Sequence, residues 1–162
     1  MKKIYVFMMA LMVTAIVGCS NESVETKNDP GEELRVDYRL LDKNSNVTNE
    51  FHYGEEIVFD LIITNISDHE LDFKNDLEIV ATAFRVYTSD GQYVNSACRA
   101  LTTIGRPPVK IKPGEQFHRQ QIWGREPLPA GEYISSYYLI MGGEKGKTYE
   151  IKFKINENQQ LK

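Results

Sequence analysis

From Leu34 onward the chain alternates apolar and polar side chains. Leu34, Val36, Tyr38 and Leu40 are separated by Arg35, Asp37 and Arg39, and Tyr149, Ile151, Phe153 and Ile155 by Glu150, Lys152 and Lys154. A period of two places successive side chains on opposite faces of a strand, so each run predicts a strand with one face buried. Residues 56–65 put Phe59, Leu61 and Ile63 on one face, with Val58 and Ile62 adding apolar groups to the other. Further strands are predicted at 70–73, 80–88, 92–95, 109–112, 116–123 and 132–141. No stretch after residue 34 sustains the 3.6-residue period of a helix.

Turn chemistry separates these runs. Ser89-Asp90-Gly91 reads as a hairpin with Tyr87 on one side and Tyr93 on the other. Asn65-Ile66-Ser67-Asp68 supplies side chains that bond their own backbone. Pro113-Gly114 and Pro129-Ala130-Gly131 each lead into a strand, and Gly142-Gly143 lies in the turn before the last one. The expectation is an all-β domain over residues 34–156. Its form would be an immunoglobulin-like antiparallel β-sandwich of seven to nine strands, with a small β-barrel as the alternative.

The first 33 residues have a different character. Lys2 and Lys3 precede an uncharged stretch from Ile4 to Val17. That stretch is too short to span a bilayer and has the make-up of a signal peptide. It ends Ile16-Val17-Gly18-Cys19, which resembles the lipobox of bacterial lipoproteins. The resemblance implies cleavage before Cys19 and attachment of lipid to its thiol. Residues 1–18 are then the signal peptide and Cys19 the anchored N-terminus. Residues 19–33 are a polar, acidic tether spanning roughly 20 Å as a flexible coil. Ser20 after the cysteine, with acidic residues following, resembles lipoproteins sent to the outer membrane or surface of Gram-negative bacteria. Residues 157–162 form a polar tail.

Composition limits the partners. The formal charge is −4, and loss of Lys2 and Lys3 with the signal peptide takes it to −6. An acidic protein repels nucleic acid, so none is expected as a ligand. The second of the two cysteines, Cys98, has no intramolecular partner once Cys19 carries lipid, and it reads as a small buried hydrophobe. The chain is long enough to form a self-sufficient core, and a monomeric domain is expected.

Three segments carry a family resemblance. They are GEEIVFDLIITNISDHELDF, AFRVYTSDGQYV, and IKPGEQFHRQQIWG followed by LPAGEY. In that order, over about residues 51–138, they are similar to the BsuPI-like proteinase inhibitor family. The resemblance implies a β-sandwich, a bracing role for Asn65 and Ser67, and a corner packing for Tyr133. It also raises proteinase inhibition as a function, although the named inhibitor acts inside the cell and this chain carries an export signal.

No pattern calls for catalysis. His52, His69 and His118 lack metal-ligand spacing, and there is no HExxH, CxxC, GxSxG or phosphate loop. No catalytic residue, metal or cofactor is expected, and the protein reads as a non-enzyme. Two candidate interaction sites remain. The loop Gly105, Arg106, Pro107 and Pro108 is stiffened by its prolines and could enter a protease cleft. Trp123 and Tyr138, considered with Tyr87, Tyr93 and Tyr137, could stack on sugar rings. The sequence therefore points first to a lipid-anchored envelope binding module whose ligand is an unknown protein or glycan. An extracytoplasmic proteinase inhibitor and a glycan-binding accessory lipoprotein are the alternatives.

Overall fold

A computed structural model describes residues 33–97, 106–141 and 144–157. Cys19, Cys98, Gly105 and Gly142-Gly143 lie outside these ranges. In chain order the elements are β1 (Leu34–Leu41), β2 (Glu50–His52), β3 (Val58–Asn65), β4 (Leu71–Phe73), α1 (Asp76–Val80), β5 (Arg85–Thr88), β6 (Tyr93–Ser96), β7 (Val109–Ile111), β8 (Gln116–Ile122), β9 (Gly131–Met141) and β10 (Glu144–Asn156). They form an open three-stranded sheet, β1-β3-β8, and an open five-stranded sheet, β2-β10-β9-β5-β6. A two-stranded sheet, β4-β7, completes the set. The architecture is a β-sandwich, and no barrel closes among the described residues.

The alternation read from the sequence sets which side of each strand is covered. Val36, Tyr38 and Leu40 of β1 and Phe59, Leu61 and Ile63 of β3 point inward. They meet Tyr133, Tyr137, Phe153 and Ile155 of β9 and β10 in one continuous core. Aromatic contacts cross the gap between sheets: Tyr38 lies 5.9 Å from Tyr137, centroid to centroid, and Phe59 lies 6.0 Å from Phe84. Each fully buried ring of this kind adds about 1.5–3 kcal/mol over its exposed state. A buried polar chain also links the sheets. The Tyr38 hydroxyl bonds Ser135 Oγ at 2.7 Å and accepts the Phe84 N–H at 3.2 Å, while Ser135 donates to the Arg85 carbonyl.

Several expectations are corrected. Ten strands are present among the described residues, one above the expected range, because β2 was not legible. It is three residues long with a single buried side chain, Phe51, too short to alternate. It also pairs parallel with β10, so the sandwich is not uniformly antiparallel. The predicted strand at 80–88 begins only at Arg85. Its first residue, Val80, closes α1, whose N-terminus is capped by Asn75 accepting the Leu77 N–H at 2.9 Å. The chain then turns through Phe84 at φ +62° before β5. Strand β10 starts at Glu144 rather than Tyr149, with an irregularity between Lys145 and Thr148.

The turn readings at Asn65–Ser67 and at Pro129–Gly131 hold. Asn65 is buried and bonds the carbonyls of His69 and Ile111 and the N–H and hydroxyl of Ser67, joining the end of β3 to β7. The Tyr133 hydroxyl donates to the Pro129 carbonyl at 2.9 Å, fixing the corner that opens β9.

Candidate ligand-binding face

The five-stranded sheet turns its inner face to the core and its outer face to solvent. On β9, Tyr133, Ser135, Tyr137 and Leu139 are buried, so Ile134, Ser136 and Tyr138 face outward. On β10 the outward set is Thr148, Glu150, Lys152 and Lys154. On β5, Val86 is buried and Arg85 and Tyr87 face outward.

The hairpin from β5 to β6 places the aromatic pair. Thr88 and Gly91 close a turn through a 2.9 Å bond from the Gly91 N–H to the Thr88 carbonyl. Gly91 follows in the left-handed region at φ +88°, where a side chain would be strained. The Thr88 hydroxyl braces the loop through Asp90 and the Gln92 N–H. A type I turn followed by a left-handed glycine is a common three-residue hairpin connection. It sets Tyr87 directly opposite Tyr93. Their rings meet edge to face at 5.6 Å. Tyr93 is 58% exposed, so one face of its ring is open to solvent.

Register then orders the face into rows. Tyr93, Tyr87, Ile134 and Lys152 form one row, and Ser96, Arg85, Ser136 and Glu150 the next. Tyr138 and Thr148 form a third. Four residues of strand separate Ile134 from Tyr138, a distance of about 13 Å. The result is an outward strip in which an aromatic, apolar row lies beside charged positions.

The predicted site residues are distributed over different places. Tyr138 lies on this face, and its ring carries the Lys145 ammonium at 4.4 Å from the centroid. Tyr137 is fully buried and cannot reach a ligand. Trp123 follows β8. Its ring leans on Phe59 at 6.2 Å and its indole N–H donates to the Glu126 carbonyl. It lines a shallow groove of about 780 Å³ with Val94, Asn95, Arg125 and Pro127, and Tyr138 is not part of that groove. Arg106 does not project: its guanidinium bonds both carboxylate oxygens of Asp76 at 2.6 Å. Pro107 and Pro108 after it are exposed.

One cluster escaped sequence reasoning. On the outer face of the three-stranded sheet, the Asp60 side chain is fully buried between Arg39 Nε at 2.7 Å and His118 Nε2 at 2.5 Å. Burial acts to raise the Asp60 pKa, but the hydrogen bonds from His118, Arg39 and Gln120 together outweigh it and hold the carboxyl below its ordinary value. His118, itself half exposed at the surface, is thus the partner of a buried acid. Among the described residues no three metal-ligating side chains converge.

No protein-family model matches the chain, and no curated protein matches its sequence. Solved structures do. The chain is similar in fold to the C-terminal domain of wzt. The identity is 12% and the TM-score 0.50, over 76% of this chain and 74% of that one. At that identity the likeness establishes the β-sandwich and nothing finer.

Proposed function

We propose that this protein is a lipid-anchored, non-catalytic binding module of the cell envelope, and that the outer face of its five-stranded sheet binds a glycan. The observation that carries the reading is Tyr93, more than half exposed on the β5–β6 hairpin and held edge to face by Tyr87. A tyrosine ring left open to water adds little to the core, and its apolar face is complementary to the apolar face of a pyranose. Arg85, Ser136 and Glu150 in the adjacent row supply donors and acceptors for hydroxyl groups. The anchor on Cys19 would hold this face within tether reach of a membrane, where cell-surface polysaccharides lie.

A glycan array probed with the full chain in detergent micelles tests the reading. Retained glycans should be lost with Tyr93→Ala and weakened with Tyr87→Ala, while Trp123→Ala binds as the parent does. An array with no binder, or equal binding by Tyr93→Ala, removes the proposal. The anchor is tested separately by fractionating full-length protein beside Cys19→Ala; identical partitioning into the aqueous phase counts against lipidation.

Proteinase inhibition through the 105–108 loop has less support. Insertion of Arg106 into a protease cleft would first have to break its paired bonds to Asp76, both groups being three-quarters or more covered. Stoichiometric titration against a protease panel, with Arg106→Ala as control, separates the two readings.

A further inference from the structure

We infer that the ligand of this face is an acidic polysaccharide, one whose sugars carry carboxylate or sulfate groups; the inference rests on the glycan-binding reading and narrows it. The whole chain is acidic, at −4. Yet around the tyrosines the outward positions of β5, β9 and β10 carry three cations, Arg85, Lys145 and Lys152, with Lys154 beside them, against two carboxylates, Glu132 and Glu150. Local charge opposite in sign to that of the whole molecule marks a surface that attracts anions over a short range.

These three cations are not used up inside the protein. The ion pairs of the described residues engage Arg39, Arg106, Lys110 and two of the histidines, and none engages Arg85, Lys145 or Lys152. Two of the three are nonetheless held in place. Arg85 donates from Nη2 to the Ala81 carbonyl at 3.2 Å, leaving its other donors for a ligand. Lys145 lies over the Tyr138 ring. Ordering these side chains beforehand lowers the entropic cost of capturing an anion.

Their placement suits a polymer better than a single ion. Lys152 stands opposite Ile134, Arg85 opposite Ser136 and Lys145 opposite Ile140. The three positions therefore fall along about 20 Å of strand β9. A repeating acidic chain can offer one anionic group to each in turn while a sugar ring lies on Tyr93. In the row on the other side of Tyr93, Glu132 and Glu50 flank Lys154 on the neighbouring strands, and their charge turns an anionic chain toward Arg85 and Lys145.

The test measures binding of the full chain, in detergent micelles, to polygalacturonate, to the same polymer after carboxyl reduction, and to polyglutamate. Polygalacturonate should bind, and carboxyl reduction should weaken binding about tenfold or more, since each lost charge contact removes a favourable interaction. Binding should also fall in about 1 M salt, where the screening length shrinks to roughly 3 Å. The double variant Arg85→Gln, Lys152→Gln should lose about tenfold with an unchanged circular-dichroism spectrum. If the reduced polymer binds as tightly and Tyr93→Ala abolishes that binding, the acidic ligand is wrong and the glycan reading survives. If polyglutamate matches polygalacturonate, charge alone is recognised and the inference falls. If neither sugar polymer binds while a neutral glycan is retained on the array, the inference falls alone; if no glycan of any kind binds, it falls together with the function proposed above.

Discussion

The two outer faces of the sandwich treat charge in opposite ways. On the three-stranded sheet, Asp60 is buried among Arg39, His118 and Gln120, and it takes up both basic side chains beside it. On the five-stranded sheet, Tyr93 stands open and Arg85 and Lys152 have no ion-pair partner among the described residues. A face that satisfies itself contributes to stability, whereas a face that leaves rings and cations to water keeps that capacity for a ligand. Substitutions on the first face should therefore register in unfolding experiments, and substitutions on the second in binding.

The largest expected effect lies on the self-satisfied face. Asp60→Ala should cost about 3 kcal/mol in denaturant unfolding, because it leaves a void under two cations that have lost their common acceptor. A loss below about 0.5 kcal/mol, the range of neutral surface changes, would erase the distinction between the faces. The same residue sets a pH dependence. Its folded pKa lies below the ordinary 3.8, so its stabilising contribution is complete above that value and disappears as pH falls through the lower, folded value. Acid titration of stability should show this loss in the parent and a shallower one in Asp60→Asn.

On the open face, Tyr93→Ala should change stability by less than about 0.5 kcal/mol while raising the glycan Kd about tenfold, equivalent to about 1.4 kcal/mol. Equal effects on folding and binding would mean that the ring belongs to the fold. Between the faces, the Tyr137 hydroxyl is buried with no hydrogen-bond partner among the described residues. Its ionisation is pushed far up, first by burial and then by Tyr149 and Tyr38 nearby. Tyr137→Phe should stabilise the protein by about 1 kcal/mol, since it removes a desolvated group that gains nothing in return. Destabilisation measured by the same denaturant titration would show that the hydroxyl has a partner after all.

The sandwich was legible because a period of two survives in β1, β3 and β10: the inward residues Val36, Tyr38 and Leu40, Phe59, Leu61 and Ile63, and Phe153 and Ile155 are those that alternation selects. What failed was short or local. Strand β2 has one buried residue, and α1 has barely one turn, shorter than either periodicity needs. The binding face was only half legible. Consecutive Tyr137 and Tyr138 had to point opposite ways, yet nothing in the spacing says which of the two reaches the core. Tyr87 and Tyr93 flank the Ser89-Asp90-Gly91 turn, and hairpin register could have paired them. Arg85 and Lys152 meet through β9, a pairing between distant segments that no local pattern encodes. Asp60 was hidden for the same reason: Arg39 and His118 come from strands on either side of it.

The position of β10 has a consequence for how the chain matures. Strand β10 lies between β9 and β2, so β2 cannot join the five-stranded sheet until β10 is present to bridge a contact more than a hundred positions back to Phe51. Such distant closure makes folding slow. A chain cut short before β10 keeps the three-stranded sheet but loses the strand that ties Phe51 to Tyr133 across the other one.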